Sequence, residues 1–242
     1  MNLFNPSIYV KIGKIMWRDA IDVDTSSSVD SLIDWAKLSV NESILKKANP
    51  TEGDLVDITI GYEGKFYNVF AGNVDSINGK SIICKDDMLK LHKTKITATF
   101  SNSNPQDIIN YCLDKAQITS VNISTDNFTT RKLVVINNKT VIEVLKQINK
   151  LWNINYKFYF MERYFYWIKE REANIKAFSF VYGTNIISLK NQNGWVLEAV
   201  ASPFIKHSDI INIVHPKLSG NFTVKKIVNK YYEGYTRSYI YV

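Results

Sequence analysis

Several familiar routes to function are closed by what this 242-residue chain lacks. Cys84 and Cys112 are its only cysteines, too few for a disulfide framework and without metal-ligand spacing around them. They read as small core residues. No stretch approaches the roughly 20 uninterrupted apolar residues that a membrane helix needs, and the opening MNLFNPSIYVKIGK lacks the basic, apolar and small-residue segments of a secretion signal. Synthesis and work in the cytoplasm, with no membrane span, are expected. There is no G-x-S-x-G, no P-loop, no G-x-G-x-x-G and no cysteine with a convincing histidine partner. Carboxylates can still converge from distant segments, so a hydrolase using Asp86, Asp87 and Glu143 stays open as one rival reading. His92 sits among lysines, and the eight-residue step from His207 to His215 fits neither the strand nor the helix spacing of metal ligands. No catalytic residue, metal ligand or cofactor is assigned.

Arginine is scarce as well: 25 of the 30 basic residues are lysine, accompanied by 24 asparagines. The net charge of +7 is carried entirely by residues 101–242, with 18 Lys/Arg against 10 Asp/Glu, while residues 1–100 hold 12 against 13. Arginine reads phosphate and base edges better than lysine does, so a generic solvated surface is favoured over a nucleic-acid face. A nucleic-acid-binding barrel using Lys217, Lys225, Lys226, Lys230 and the aromatic run Tyr156–Trp167 is the other rival, since alternating aromatics can stack unpaired bases. The alternative for that run is a hairpin with one face packed on the helix that follows Thr140 and the other covered by a neighbouring domain or subunit.

What is present is β-structure. The chain carries 12 Phe, 14 Tyr and 5 Trp, and its many Val, Ile and Thr favour strands. SIYVKIG alternates as a strand, and Leu32–Val40 is read as a strand with an irregular middle. Glu63-Gly64 and Asn78-Gly79 fall between strand-like runs in hairpin rhythm, the Asn-Gly pair suiting the two positive-φ positions of a type I′ turn. Gly72 is expected either to hold a bend at positive φ or to let a neighbouring backbone approach. Asp86-Asp87, adjacent and so unable to share a proton or metal ion from one strand face, is read as ending a scaffold before a helical turn.

Between Gly79 and Gly183 there is no glycine, and two helices are announced. Asn104, Pro105 and Asp107 open PQDIINYCLDKA; Thr140 and Glu143 have the capping-box form before VIEVLKQINKLW. KLVVI and the hairpin INYKFYF/YFYWIKE, turning at Met161-Glu162-Arg163, complete an α+β module. From about Ala177 six short strands return, separated by Gly183, Asn193-Gly194, Ser202-Pro203, His215-Pro216, Gly220 and Glu233-Gly234. The fold expected is mainly β within an α+β class: two small antiparallel β-barrel domains, 1–100 and 176–242, flanking a small α+β module at 101–175.

The order of short motifs resembles phage tail baseplate hub proteins, the family that includes the N-terminal hub region of type VI secretion spike proteins. The matching steps are Asp34-Trp35-Ala36, Gly53-Asp54, Gly61-Tyr62, Phe70 to Gly72, and Asp86-Asp87. Further on, Asn185 in VYGTNIISLK and the Pro216 to Gly220 turn follow the second barrel of that family. Trp35 stands where the family usually has Thr, and a long C-terminal extension carrying a fused spike or hydrolase is not expected. The resemblance implies a non-enzymatic structural protein of the virion tail baseplate, assembled in the host cytoplasm. It further implies a homotrimer whose two barrels per chain offer six quasi-equivalent edges to a sixfold tail tube. The expected partners are the tail tube protein, a threefold spike or tail-tip protein and other baseplate proteins, with DNA passing through the lumen without specific binding.

Overall fold

The computed structural model describes residues 6–18, 21–29, 31–169, 178–232 and 235–242. The chain forms two compact units, one made of Met1–Asp86 with Glu172–Val242 and the other of Asp87–Arg171. Each is described in turn.

The first stretch of the larger unit runs β1 (Ser7–Ile12), β2 (Ile15–Arg18), β3 (Ile21–Ser28), β4 (Trp35–Val40), α1 (Glu42–Ala48), β5 (Leu55–Tyr62), β6 (Lys65–Asn78) and β7 (Ser81–Lys85). Alternation explains the strands: Val10 and Ile12, Ala36 and Leu38, and Val56, Ile58 and Ile60 point into one apolar core while their neighbours face outward. Helix α1 starts because the Asn41 carboxamide oxygen accepts from Ser43 N at 3.0 Å, and stops at Asn49 in the left-handed region. Tyr62 pairs with Lys65 across a two-residue turn in which Glu63 and Gly64 both have positive φ, the type I′ requirement. At the next turn Asn78 stays in the ladder opposite Ser81. The loop is therefore Gly79-Lys80, one residue later than the Asn-Gly pair suggests, with Gly79 alone in the left-handed region.

The smaller unit contains α2 (Met88–Lys93), β8 (Lys95–Ser103), α3 (Pro105–Lys115), β9 (Val121–Ile123), β10 (Arg131–Thr140), α4 (Val141–Leu151), β11 (Lys157–Met161) and β12 (Tyr164–Ile168). Both expected helix starts are capping boxes. Asn104 Oδ1 accepts from Asp107 N at 2.9 Å while Asp107 Oδ2 accepts from Asn104 N at 3.0 Å; Thr140 and Glu143 repeat the exchange at 3.3 and 2.7 Å. Helices α3 and α4 bury Ile108, Ile109, Leu113, Val144, Leu145 and Ile148 against each other and against the β8–β10 ribbon.

The chain then returns to the larger unit with β13 (Phe178–Val181), β14 (Ile186–Asn191), β15 (Trp195–Val200), β16 (Ile210–His215), β17 (Leu218–Thr223), β18 (Lys226–Tyr232) and β19 (Tyr235–Tyr241). NFTVKKIV, expected as one strand, is broken between β17 and β18. The expected Glu233-Gly234 turn lies outside the described residues.

Among the described residues no sheet is closed, which corrects the expectation of two barrels. Eleven strands form one open sheet in the order β14-β15-β19-β18-β3-β4-β7-β6-β5-β1-β2, and β13, β16 and β17 form a second. The reason is topological. A strand has two edges, and β3 gives one to β4 and the other to β18, with Lys226–Tyr231 paired antiparallel to Ser28–Val23. The edge that would close the N-terminal strands on themselves is used instead to join them to the C-terminal ones. Two apolar cores persist on either side of this seam. One is built from β1 and β3 to β7, with Ala201 and Tyr231 added from beyond the seam; the other lies between the small sheet and the C-terminal strands, around Phe180, Leu197, Ile211, Ile213 and Ile240.

Candidate functional site

The residues singled out from the sequence do not converge on one pocket; all but Asp87 of the motif residues sit at corners and junctions of the larger unit. Asp34 and Asp86, ends of the first and last N-terminal motifs, are joined directly. Asp86 N donates to Asp34 O at 3.0 Å, and between them Trp35 pairs with Lys85 and Ala36 with Cys84. The Asp34 carboxylate accepts from Ser28 N at 3.2 Å. Burial holds its pKa up at about 6, while the Ser27 hydroxyl, the Ser28 amide and the positive charge of Lys206 pull the other way. Asp87 takes the N-cap position of α2, in the smaller unit, where its carboxylate meets Lys90 at 2.8 Å rather than capping the backbone.

Gly53-Asp54 forms the tight entry to β5. Gly53 N donates to Val74 O and Val74 N to Asp54 O, at 2.8 and 2.9 Å, while the Asp54 carboxylate accepts from Thr51 N at 2.8 Å. Gly61 and Gly72 mark close backbone approaches along β6. A Cβ on Gly61 would lie 2.0 Å from Lys65 O, and one on Gly72 would lie 2.3 Å from Lys85 O. Gly72 is not among the positive-φ glycines, so of the two reasons expected for it, the approach of a neighbouring backbone is the one present. Around it β6 passes from pairing with β5 to pairing with β7, with register shifts after Ile58 and after Val74, and buried Phe70 lies two residues before.

Tyr62 crosses the seam. Its buried hydroxyl donates to Ala201 O at 2.7 Å, and burial pushes its pKa up to about 12. Asn185 staples β13 to β14, accepting from Val181 N at 2.7 Å and donating to Ser179 O at 3.0 Å. Pro216 occupies the two-residue turn between β16 and β17, where His215 Nδ1 accepts from Lys217 N at 3.0 Å; Gly220 follows at φ 138°, opposite Ile213.

A buried polar chain along the seam was not foreseen. Asn229 on β18 donates to Thr25 Oγ1 at 3.3 Å and accepts from Ser238 Oγ at 2.7 Å, and Ser238 Oγ accepts from Ser202 N at 2.9 Å. All four residues are buried. The only sequence signal is the run DTSSS in β3, whose polar residues look surface-exposed until their partners, about 200 residues away, are known.

The chemical candidates have structural surroundings. Glu143 caps α4, and its hydrogen bonds to the Thr140 amide and hydroxyl lower its pKa, opposite to what a general acid needs. Cys84 and Cys112 are buried with thiol pKa values pushed up to about 12 by burial. His207 touches Ser208 Oγ and His215 stacks edge-on against Tyr182; no cluster of three potential metal ligands occurs among the described residues. In the aromatic hairpin Phe165 and Trp167 are buried, the indole donating to Asn149 of α4 at 3.0 Å, while Tyr159 and Tyr166 stack on the other face at 5.1 Å. The four lysines of the nucleic-acid reading do not form one track: Lys217 lies in the β16–β17 turn, Lys225 and Lys226 are neighbours at the start of β18, and Lys226 and Lys230 sit over the rings of Tyr241 and Tyr239.

No family model matches the chain, and no curated protein matches it in sequence. The folds of solved structures do match. The 43 kDa tail protein of prophage MuSo2 from Shewanella oneidensis aligns with 98% of this chain and 97% of its own at TM-score 0.73 and 12% identity. The tail protein of Neisseria meningitidis MC58 aligns with 98% of this chain and 96% of its own at 0.73 and 10%. A type VI secretion component of E. coli, itself similar to bacteriophage T4 tail proteins, covers 96% of this chain over 75% of its own at 0.62 and 9%. The chain therefore has, from end to end, the fold of a prophage tail protein, of a second tail protein and of a type VI secretion component.

Proposed function

We propose that this protein is the structural hub of a phage tail baseplate or of a related injection machine, acting as a trimeric adaptor between a sixfold tail tube and a threefold spike or tail tip. The observation that carries this reading is the mutual, nearly complete coverage with a prophage tail protein and a second tail protein, each matched over 96% or more of its own length. The likeness is to whole tail proteins rather than to a shared module.

The sheet supports the adaptor role physically. An open 11-stranded sheet ends in two edges, here β2 from the N-terminal strands and β14 from the C-terminal ones. Edge strands carry unpaired backbone groups that a neighbouring chain can satisfy. Three chains would thus bring six such edges to a ring, two from each. The motif residues Asp34 to Ala36, Gly53-Asp54, Gly61-Tyr62, Phe70 to Gly72 and Asp86 act in this reading by shaping the N-terminal strands. Asn185, Pro216 and Gly220 shape the C-terminal ones. The role requires no catalysis, and its partners are the tube, the tip and the surrounding baseplate proteins.

Light scattering across a concentration series tests it. A concentration-resistant species of about 84 kDa, three copies of the 27.9 kDa chain, is expected. A monomer at every concentration, also in the presence of tube and tip proteins from the same genome, would overturn the trimeric adaptor.

A further inference from the structure

We infer that the larger unit carries a saccharide-binding cleft at one end of the β3–β18 seam, suited to a sugar bearing an acidic group. The cleft has a volume of about 470 Å³, within the range of small-ligand sites. The strand register builds it. Trp35 pairs with Ser26, Ser28 with Lys226, and Lys226 with Tyr241, so four adjacent strands bring these side chains to one face. The turn before β15 forms the rim and adds Trp195, held by Val242 N donating to Trp195 O at 3.0 Å.

The lining has the chemistry of sugar recognition. Aromatic rings supply apolar faces for the C–H surface of a pyranose, and amphipathic Trp and Tyr do so while tolerating water at their polar ends. Serine hydroxyls from β3 and the carboxamides of Gln192 and Asn193 supply both donors and acceptors, which a ring of hydroxyl groups demands. Lys225 and Lys226 are the charged side chains of the lining; against the main-chain oxygens of Val242, which also lines it, they leave positive charge in excess, and this selects an anionic substituent. The Lys226 ammonium already lies 5.3 Å from the centre of the Tyr241 ring, so cation and aromatic face are positioned together.

Single-stranded nucleic acid would use similar groups, but it needs a continuing basic track. Further along the same face that track is neutralised: Arg237 meets Glu198 at 3.8 Å, Lys230 pairs across the ladder with Asp24, and Tyr232 donates to Asp24 at 2.6 Å. The positive charge is confined to the cleft, which fits one short acidic saccharide. The inference does not depend on the assembly reading.

Titrating the full chain with D-glucuronate and with D-glucose, followed by tryptophan fluorescence and ligand-observed NMR, tests it. Saturable binding in the millimolar range is expected, with glucuronate several-fold tighter at low salt. Lys225→Gln with Lys226→Gln should bring the two sugars to parity, and Gln192→Ala, on the exposed rim, should weaken both without changing the melting temperature. Trp195→Ala should abolish both. No saturable binding of either sugar, or equal binding of both by the wild type, would overturn the inference. So would full competition by inorganic phosphate, which marks a bare anion site, or tighter and steeply salt-dependent binding of oligothymidylate, which marks a nucleic-acid site.

Discussion

Gly72→Ala should destabilise the larger unit through steric overlap alone. The new Cβ would sit 2.3 Å from Lys85 O, 2.8 Å from Lys85 C and 2.7 Å from Phe70 Cζ. A carbon and an oxygen rest near 3.3 Å, so β6 and the end of β7 must part by about 1 Å or the ladder must give. Neither side yields easily: Asn73 is paired with Lys85, Val56 opposite Gly72 is fully buried, and Phe70 is buried beside it. Overpacking of this kind costs about 1–3 kcal/mol, and the entropy gained by replacing a strand glycine returns roughly 0.5–1 kcal/mol. With an overlap this deep against backbone the upper part of that cost applies, so the net expectation is a loss of about 1–2.5 kcal/mol, or roughly 2–10 °C in melting temperature for a unit of this size. Gly79→Ala separates steric from conformational cost, because Gly79 has φ 57° and nothing within 4 Å of its Cβ position. It should lose about 1 kcal/mol from the left-handed backbone, while Gly72→Val should lose clearly more than Gly72→Ala. Calorimetry or chemical denaturation of the three variants measures this. A Gly72→Ala protein melting with or above the wild type would refute the close-approach argument.

Tyr62→Phe removes the hydrogen bond across the seam and leaves the buried Ala201 carbonyl short of a partner; a loss of about 1–2 kcal/mol in urea denaturation is expected, with little change in shape. Ser238→Ala should cost more, about 2–4 kcal/mol, because Asn229 Oδ1 loses a donor and Ser202 N an acceptor in a buried network; a loss no larger than that of Tyr62→Phe would argue against the network. Asp34 has a folded pKa raised to about 6, so its contribution to stability is fully present below about pH 4 and is lost as pH rises through about 6. Asp34→Asn keeps an acceptor for Ser28 N but not the titration. Its stability relative to wild type should therefore rise by about 1–3 kcal/mol between pH 4 and 7, and parallel pH profiles would remove the half-buried carboxylate from the account.

Local chemistry was legible in the sequence. Both capping boxes form because each needs only four residues, and the Glu63-Gly64 and Glu162-Arg163 turns form with positive φ at both central positions. Gly61 and Gly72, two of the motif glycines, stand where a neighbouring backbone approaches more closely than a Cβ would permit. Topology was not legible in the same way. Each β-region has its own apolar core, so each looked able to close as a barrel, and nothing local to β3 says that its free edge belongs to β18. The polar run DTSSS hid the pairing, since buried Thr25, Ser26 and Ser28 carry no hydrophobic pattern. Helix α1 and strand β8 were also unread; α1 buries no residue, and so shows no apolar stripe.

The shared seam changes what the two halves of the larger unit can do separately. Two closed barrels would each satisfy their own backbone and could tilt about a linker. Here β3 and β18 exchange ladder hydrogen bonds along Val23–Ser28, and Tyr62, Tyr232 and Asn229 add side-chain ties to the same line. Tilting one half against the other would break several of these bonds, and on the buried face of the seam, where Thr25 and Asn229 lie, each orphaned group costs about 1–3 kcal/mol. The halves therefore move as one body, and the two outer edges β2 and β14 keep a fixed spacing. A fixed spacing is what the ring proposed above would need, because a variable one would not close. The polar composition of the seam is consistent with that demand, since a hydrogen-bonded network admits one register where a purely apolar seam would tolerate slippage.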